Sequence, residues 1–104
     1  MEIADLREMV ELDPEDVLMR YVLGSKLLEE GEDPTEAVGH LAYVVGHDPQ
    51  HVASYLALGN AYLRQGHEEK ARDVLEKGME IASGLKHGEG LDLVPEFEDL
   101  LASI

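Results

Sequence analysis

Apolar side chains recur every three or four residues along most of the chain, which is the spacing of helices that bury one face. In residues 2–12 the apolar stripe consists of Ile3, Leu6, Met9 and Val10. The same spacing predicts helices over 14–30, 34–47, 49–65 and about 68–82. A last amphipathic helix is predicted from about Pro95. Since no segment alternates as a strand does, the sequence predicts an all-α protein.

Prolines and glycines indicate where these helices begin and end. Asp13-Pro14, Asp33-Pro34 and Asp48-Pro49 each place a possible capping aspartate before a proline that fits the first helical turn. Gly31 and Gly66 each follow an apolar stripe, where a residue with left-handed backbone can end a helix. The sequence therefore predicts three helices that begin at prolines and two that end at glycines.

The helical pattern repeats after 35 residues, the distance from Pro14 to Pro49 and from Gly31 to Gly66. Helix–turn–helix units of about this length are typical of tetratricopeptide repeats. The chain resembles that family over residues 13–83. In the second copy, the positions typical of the family hold Tyr55, Leu58, Gly59, Tyr62, Ala71 and Leu75. In the first copy, the matching residues are Leu23, Gly24, Ala37, Leu41 and Pro49.

This resemblance implies a right-handed superhelical stack of antiparallel helix pairs with about six helices. It divides a single domain into an N-terminal half-repeat helix, two repeats, and a flexible joint with a C-terminal capping helix. These parts span residues 1–12, 13–48, 49–83 and 84–104. The size and the ending of the chain also resemble short stand-alone bacterial tetratricopeptide repeat proteins. One departure from the family is Gly78, which stands where alanine is usual.

The resemblance further implies a non-catalytic protein–protein interaction module or scaffold, which holds a peptide or a helix in a concave groove. Carried over position by position, the groove residues are Leu18, Tyr21, Ser25, Leu28 and Glu29 in the first copy and Ala53, Leu56, Asn60, Leu63 and Arg64 in the second. We expect the four leucines to be exposed and to form an apolar patch. Asn60 can hydrogen-bond the main chain of a ligand, and Arg64 can help to orient it. The clamp with which chaperone-binding relatives hold acidic tails is absent.

The chain is strongly acidic, with 23 Asp and Glu against 8 Lys and Arg and a formal net charge of −15. Such a surface repels phosphate backbones and anionic lipids, so we expect no nucleic-acid partner and no membrane partner. Two explanations of the acidity stay open: attraction of a basic partner, or adaptation to a host that lives at high salt. Because the chain has no cysteine and no long apolar run, we expect a cytoplasmic location.

Candidate catalytic and metal-binding residues give weak signals. Pro49 separates His47 from His51, and His40 lies two helical turns from His47, about 10 Å along the axis. Paired carboxylates occur throughout the chain, so that no single pair indicates acid–base chemistry. No phosphate-binding glycine loop or nucleophile elbow is present. We therefore expect no enzyme, no cofactor and no metal.

Two alternatives remain beside the interaction module. The protein could be a self-associating structural protein whose groove or C-terminal helix packs on another copy. For the oligomeric state we expect a monomer or a weak homo-oligomer. The other alternative, with less support, is a metal-binding protein or a hydrolase that uses His40, His47 or His51.

Overall fold

The computed structural model describes residues 1–85 and 88–104, with Glu89 described by its backbone alone. These residues form seven helices and no strand, so the predicted all-α class is confirmed for the described part of the chain. The helices are α1 (Ile3–Leu12), α2 (Val17–Glu29), α3 (Pro34–His47), α4 (Val52–Arg64), α5 (Glu68–Ser83), α6 (Glu89–Asp92) and α7 (Val94–Ala102). The predicted flexible joint includes Lys86 and His87, which lie outside the described residues.

The helices pack as consecutive antiparallel pairs. Helix α2 packs against α3, and α4 packs against α5, while α3 and α4 join the two pairs. Helix α1 covers α2 at one end of the stack. At the other end α7 contacts both α5 and α4, much as α4 contacts both α3 and α2. The predicted stack of helix pairs is confirmed, and α7 lies where the first helix of a third pair would lie.

Two glycines let the paired helices approach closely. A Cβ atom on Gly24 would lie 2.9 Å from Cγ of Leu41, and one on Gly59 would lie 2.5 Å from Cγ of Leu75. Both distances are shorter than carbon atoms tolerate, so only glycine fits without a shift of the partner helix. The same contact therefore holds each pair together, and this explains why Leu-Gly recurs in the two copies.

Helices α2 and α4 end in the same way. Gly31 and Gly66 have positive φ angles of 70° and 79°, which place them in the left-handed region. The residue after each glycine donates its backbone N–H to the carbonyl oxygen five residues earlier. This bond runs from Glu32 to Leu27 at 3.0 Å in the first copy and from His67 to Tyr62 at 2.9 Å in the second. The two helix ends predicted at these glycines are confirmed, since this is the pattern of a Schellman cap.

The predicted helix starts at Pro14 and Pro49 are wrong. Helix α2 begins three residues later, at Val17, and residues 13–16 form a turn in which the Asp16 N–H donates to the Asp13 carbonyl oxygen at 3.1 Å. Proline fits the second position of such a turn because its φ angle is already set. The same turn recurs before α4, where its residues are Asp48, Pro49, Gln50 and His51.

The predicted start at Pro34 is confirmed. The Asp33 carboxylate accepts a hydrogen bond from the Thr35 N–H at 2.8 Å and caps α3. This bond lowers the pKa of Asp33 because it stabilises the ionised carboxylate.

An ion pair joins α1 to α3. The Arg7 guanidinium lies 2.7 Å from the Glu36 carboxylate and donates two further hydrogen bonds to it. The hydrogen bond from Arg7 lowers the pKa of Glu36 below its ordinary 4.5. The pair therefore favours the ionised carboxylate in the folded protein and fastens the N-terminal helix to the first pair.

This ion pair predicts a pH dependence of stability. Since the pKa of Glu36 is lower in the folded state than in the unfolded state, its contribution is complete above pH 4.5 and is lost as the pH falls through the lowered pKa. We expect Arg7→Gln to unfold at lower urea concentration than the wild type at neutral pH. The difference should shrink as the pH falls below 4.5. A difference that stays constant down to strongly acidic pH would contradict this assignment.

Candidate functional site

The predicted groove residues lie on the same face of α2 and α4, but they differ in accessibility. Leu18 is 57% exposed, whereas Tyr21, Leu56 and Leu63 are partly buried. Leu28 is only 7% exposed, so the prediction that it contributes to an exposed patch is wrong. It belongs to the core cluster that also contains the apolar stripe of α1. Leu28 is therefore buried in the same core as the apolar side chains of α1 and is not part of an exposed patch.

Two other predicted groove residues, Arg64 and Ser25, differ in their hydrogen bonding within the fold. The Arg64 guanidinium donates a hydrogen bond to the Leu28 carbonyl oxygen at 2.6 Å. This bond ties the end of α4 to the end of α2, where carbonyl groups need partners. The Ser25 hydroxyl is buried and has no hydrogen-bond partner among the described residues. Among the predicted groove residues of these two helices only Leu28 is therefore buried. Leu18, Glu29 and Arg64 are exposed, and the others, which include Tyr21, Leu56, Asn60 and Leu63, are partly accessible.

A cavity of about 550 Å³ opens at one end of this face. Tyr21 and Ala53 line it from the groove positions of α2 and α4, and α6 closes the opposite side. The other lining residues are Gln50, His51, Val52, Leu85, Gly90, Asp92 and Leu93. The Tyr21 ring lies 4.7 Å from the His51 ring, so the two aromatic groups meet at the wall of the cavity. We name this space the Tyr21 cavity; its mixed lining can receive an apolar side chain.

A second, smaller cleft lies where α7 passes α4. Its volume is about 230 Å³, and it is lined by Leu56 and Asn60 from α4 and by Glu96, Asp99 and Leu100 from α7. We name it the Asn60 cleft. Sequence reasoning placed Leu56 and Asn60 in the groove but missed the three residues of α7. The amphipathic stripe of the last helix was visible, but nothing in the sequence showed which face of the stack it would cover.

The three histidines considered as metal ligands or catalytic groups each form a hydrogen bond to a residue three or four positions away in the sequence. His40 Nε2 lies 3.2 Å from the Glu36 carboxylate, and His47 Nδ1–H donates to the Tyr43 carbonyl oxygen at 2.9 Å. His51 Nδ1 lies 2.8 Å from the Ser54 hydroxyl. Among the side chains that the structure describes, which exclude those of residues 86, 87 and 89, no group of three or more His, Asp or Glu could hold a metal ion.

The contact between His51 and Ser54 resembles part of a catalytic pair but serves the start of α4. His51 immediately precedes the first residue of the helix, and Ser54 follows three positions later. Ser54 is fully buried at 0% exposure, so a substrate cannot reach its hydroxyl group. The pair therefore links the helix start to its first turn and gives no support to the hydrolase alternative.

In the part of the chain that the structure describes, no helix has the length and apolar character needed to cross a membrane.

Comparison with known families gives one result for this chain. The family described as Tetratricopeptide repeat matches residues 27–84, which is more than half of the sequence. The match runs from the second half of α2 to the residue that follows α5, and so includes three of the four helices that form the two pairs. A comparison with curated proteins gives no match.

Proposed function

This chain belongs to the tetratricopeptide repeat family, and from that membership we propose that it is a non-catalytic module that binds another protein through the groove face of α2 and α4. Stacked helical repeats of this kind present an extended surface to peptides or helices of partner proteins. The proposed ligand is therefore a peptide or a helix that lies across α2 and α4, the first helix of each pair.

The Tyr21 cavity is the observation that carries this proposal. It lies on the proposed groove face, it opens to the surface, and Tyr21 and Ala53 are groove positions that the repeat pattern predicts. An aromatic side chain beside an open cavity is a common anchor in protein interfaces because it buries much area at little entropic cost. An apolar side chain of the partner would enter this cavity.

The remaining groove residues have distinct proposed roles. Leu18 offers exposed apolar surface beside the cavity, and Asn60 offers an amide that can pair with a ligand main chain. Leu28 would support the groove from the core, and the exposed Arg64 would hold the end of α4 against the end of α2. Leu56 and Leu63 both pack partly against a second core cluster and would form the apolar floor of the groove. This second core cluster consists of Val52, Tyr55, Ala71, Leu75, Ala82 and Phe97.

The direct test is capture of partners from lysate on the immobilised protein. We expect simultaneous Tyr21→Ala, Leu56→Ala and Asn60→Ala changes to reduce specific capture at least about tenfold, because anchors at the centre of an interface carry most of its binding energy. Circular dichroism must show that the variant is folded. Met9→Ala with Leu12→Ala serves as the control, since it removes exposed apolar side chains outside the groove. Capture that the triple variant retains in full would refute the groove assignment.

A second candidate function is self-association. Leu12 is 80% exposed, and Met9 and Leu18 are also exposed near the turn that joins α1 to α2. A second copy could cover these side chains, although the net charge of −15 on each copy opposes it. A molar mass that stays at the monomer value over a wide range of protein concentration, measured by light scattering at high salt, would exclude this candidate.

A further inference from the structure

The Asn60 cleft combines two chemical surfaces. Leu56 and Leu100 supply apolar walls from α4 and α7, and both side chains are partly buried. Glu96 and Asp99 stand on α7 and are exposed. Asn60 adds an amide group whose carbonyl oxygen can accept a hydrogen bond. The cleft is therefore apolar along its walls and negative at its rim.

The negative rim is not neutralised within the described residues. No Lys, Arg or His of this part of the chain forms an ion pair with Glu96 or Asp99, and the ion pairs found there involve Glu36. The whole protein is also acidic, so its field raises the local concentration of cations near this rim. A cation that enters the cleft would find two carboxylates that form no ion pair with any described residue.

A side chain with an aliphatic stem and a terminal cation matches this arrangement. Lys and Arg bury their methylene groups along apolar surface while the charged end stays at the edge. In the Asn60 cleft the stem would lie between Leu56 and Leu100, and the charged end would reach the carboxylates of α7. An acidic side chain would be repelled, and a purely apolar side chain would leave the two carboxylates unpaired.

We propose that the Asn60 cleft binds a Lys or Arg side chain of the partner, and that the partner segment is therefore a basic peptide with an apolar anchor. The inference rests on the proposed function, because it assigns a partner class to the same groove. It adds α7 to the binding surface, as the source of the charges that select the ligand.

The two pockets also set a spacing for the ligand. Ala53 lines the Tyr21 cavity and Asn60 lines the Asn60 cleft, and these residues are seven positions apart on α4. Seven residues of helix span about 10 Å. An extended peptide covers about 10 Å with three residues. An apolar residue three positions away from a Lys or Arg is thus the pattern that could fill both pockets.

A library of random twelve-residue peptides, displayed on phage and selected on the immobilised full chain, tests this inference. We expect selected peptides to be enriched in Lys or Arg at about three positions from an apolar residue. Replacement of that basic residue by Gln in a synthetic copy should weaken binding about tenfold, because a charge-assisted contact is lost. Binding should also weaken as salt is raised.

Matched variants locate the effect. Glu96→Gln with Asp99→Asn should weaken binding of the selected peptide about tenfold, without unfolding the protein, since both side chains are exposed. Glu8→Gln with Glu11→Gln on α1 removes the same charge from exposed positions away from the cleft. This control should change the affinity less than about twofold at physiological salt, because distant surface charges are screened.

The outcomes separate this inference from the function on which it rests. Selected peptides that need Tyr21 and Leu56 but bind equally without their Lys or Arg would overturn the inference and leave the groove function standing. Failure to select any peptide that depends on the groove residues would overturn both. Self-association that the Glu96→Gln and Asp99→Asn changes abolish would identify a second copy as the occupant and would also overturn the inference.

Discussion

Gly59→Ala is expected to destabilise the protein, although alanine is the better helix former. An added Cβ atom would lie 2.4 Å from Cδ2 and 2.5 Å from Cγ of Leu75. Cγ is the branch point of the leucine side chain, so a rotation of the methyl groups cannot relieve the contact. Over-packing of this kind costs about 1–3 kcal/mol, which exceeds the gain of up to about 1 kcal/mol in helix propensity. Urea unfolding with an unchanged m-value measures the loss.

Gly39→Ala is the matched control for this change. Gly39 also lies inside a helix, but among the described residues nothing beyond its chain neighbours and its own helical backbone comes within 4 Å of the Cβ atom that alanine would add. The same substitution should therefore stabilise the protein by about 0.5–1 kcal/mol. If both variants gained stability, the close approach of α4 and α5 at Gly59 would be refuted. In a Leu75→Ala background, Gly59→Ala should cost less than it does alone, because the clashing atoms are gone.

The helix ends show what local sequence can and cannot determine. Gly31 and Gly66 were predicted correctly because a left-handed residue after an apolar stripe has few uses other than to end a helix. Asp-Pro is ambiguous, since the same dipeptide fits a helix start and the first half of a turn. It begins a helix at Asp33, where the preceding chain has already turned. It forms a turn at Asp13 and Asp48, where the preceding helix has only just ended.

Helical spacing predicted which groove residues share a face of one helix, but not which of them other helices cover. Leu56 and Asn60 lie on one face of α4 because they are four residues apart, so the repeat pattern could place them. The burial of Leu28 depends on α1, and the carboxylates of the Asn60 cleft depend on where α7 crosses the stack. These are contacts between segments far apart in the sequence. No local pattern encodes them.

The structure also accounts for Gly78, which the sequence marked as a departure from the family. A Cβ atom there would lie 2.5 Å from Cβ of Tyr55 and 2.7 Å from the ring of Phe97. The contact with Tyr55 is within the second repeat, but the contact with Phe97 belongs to α7. The absence of a side chain at Gly78 thus makes room for the aromatic ring that fixes the C-terminal helix.

Phe97→Ala is expected to have the largest effect on stability of any change to α7. Phe97 is 0% exposed and belongs to the second core cluster, next to Gly78 of α5. Loss of a fully buried phenylalanine costs about 3–5 kcal/mol through lost burial and the cavity that remains. A nine-residue helix such as α7 is too short to persist alone in water, so it will detach when its anchor is lost. Urea unfolding gives the free-energy change, and amide hydrogen exchange shows whether α7 opens before the rest.

Glu98→Ala is the control on the same helix, since this exposed side chain neighbours Phe97 but lies outside the core clusters. It should change stability by less than about 0.5 kcal/mol. If Phe97→Ala only releases α7, exchange will be fast in residues 94–102 and slow in α2 to α5, and the Asn60 cleft will lose its acidic wall. Selected basic peptides should then bind about as weakly as they bind the Glu96→Gln and Asp99→Asn variant. Full stability of Phe97→Ala, or slow exchange throughout α7, would contradict the role of this ring as the anchor.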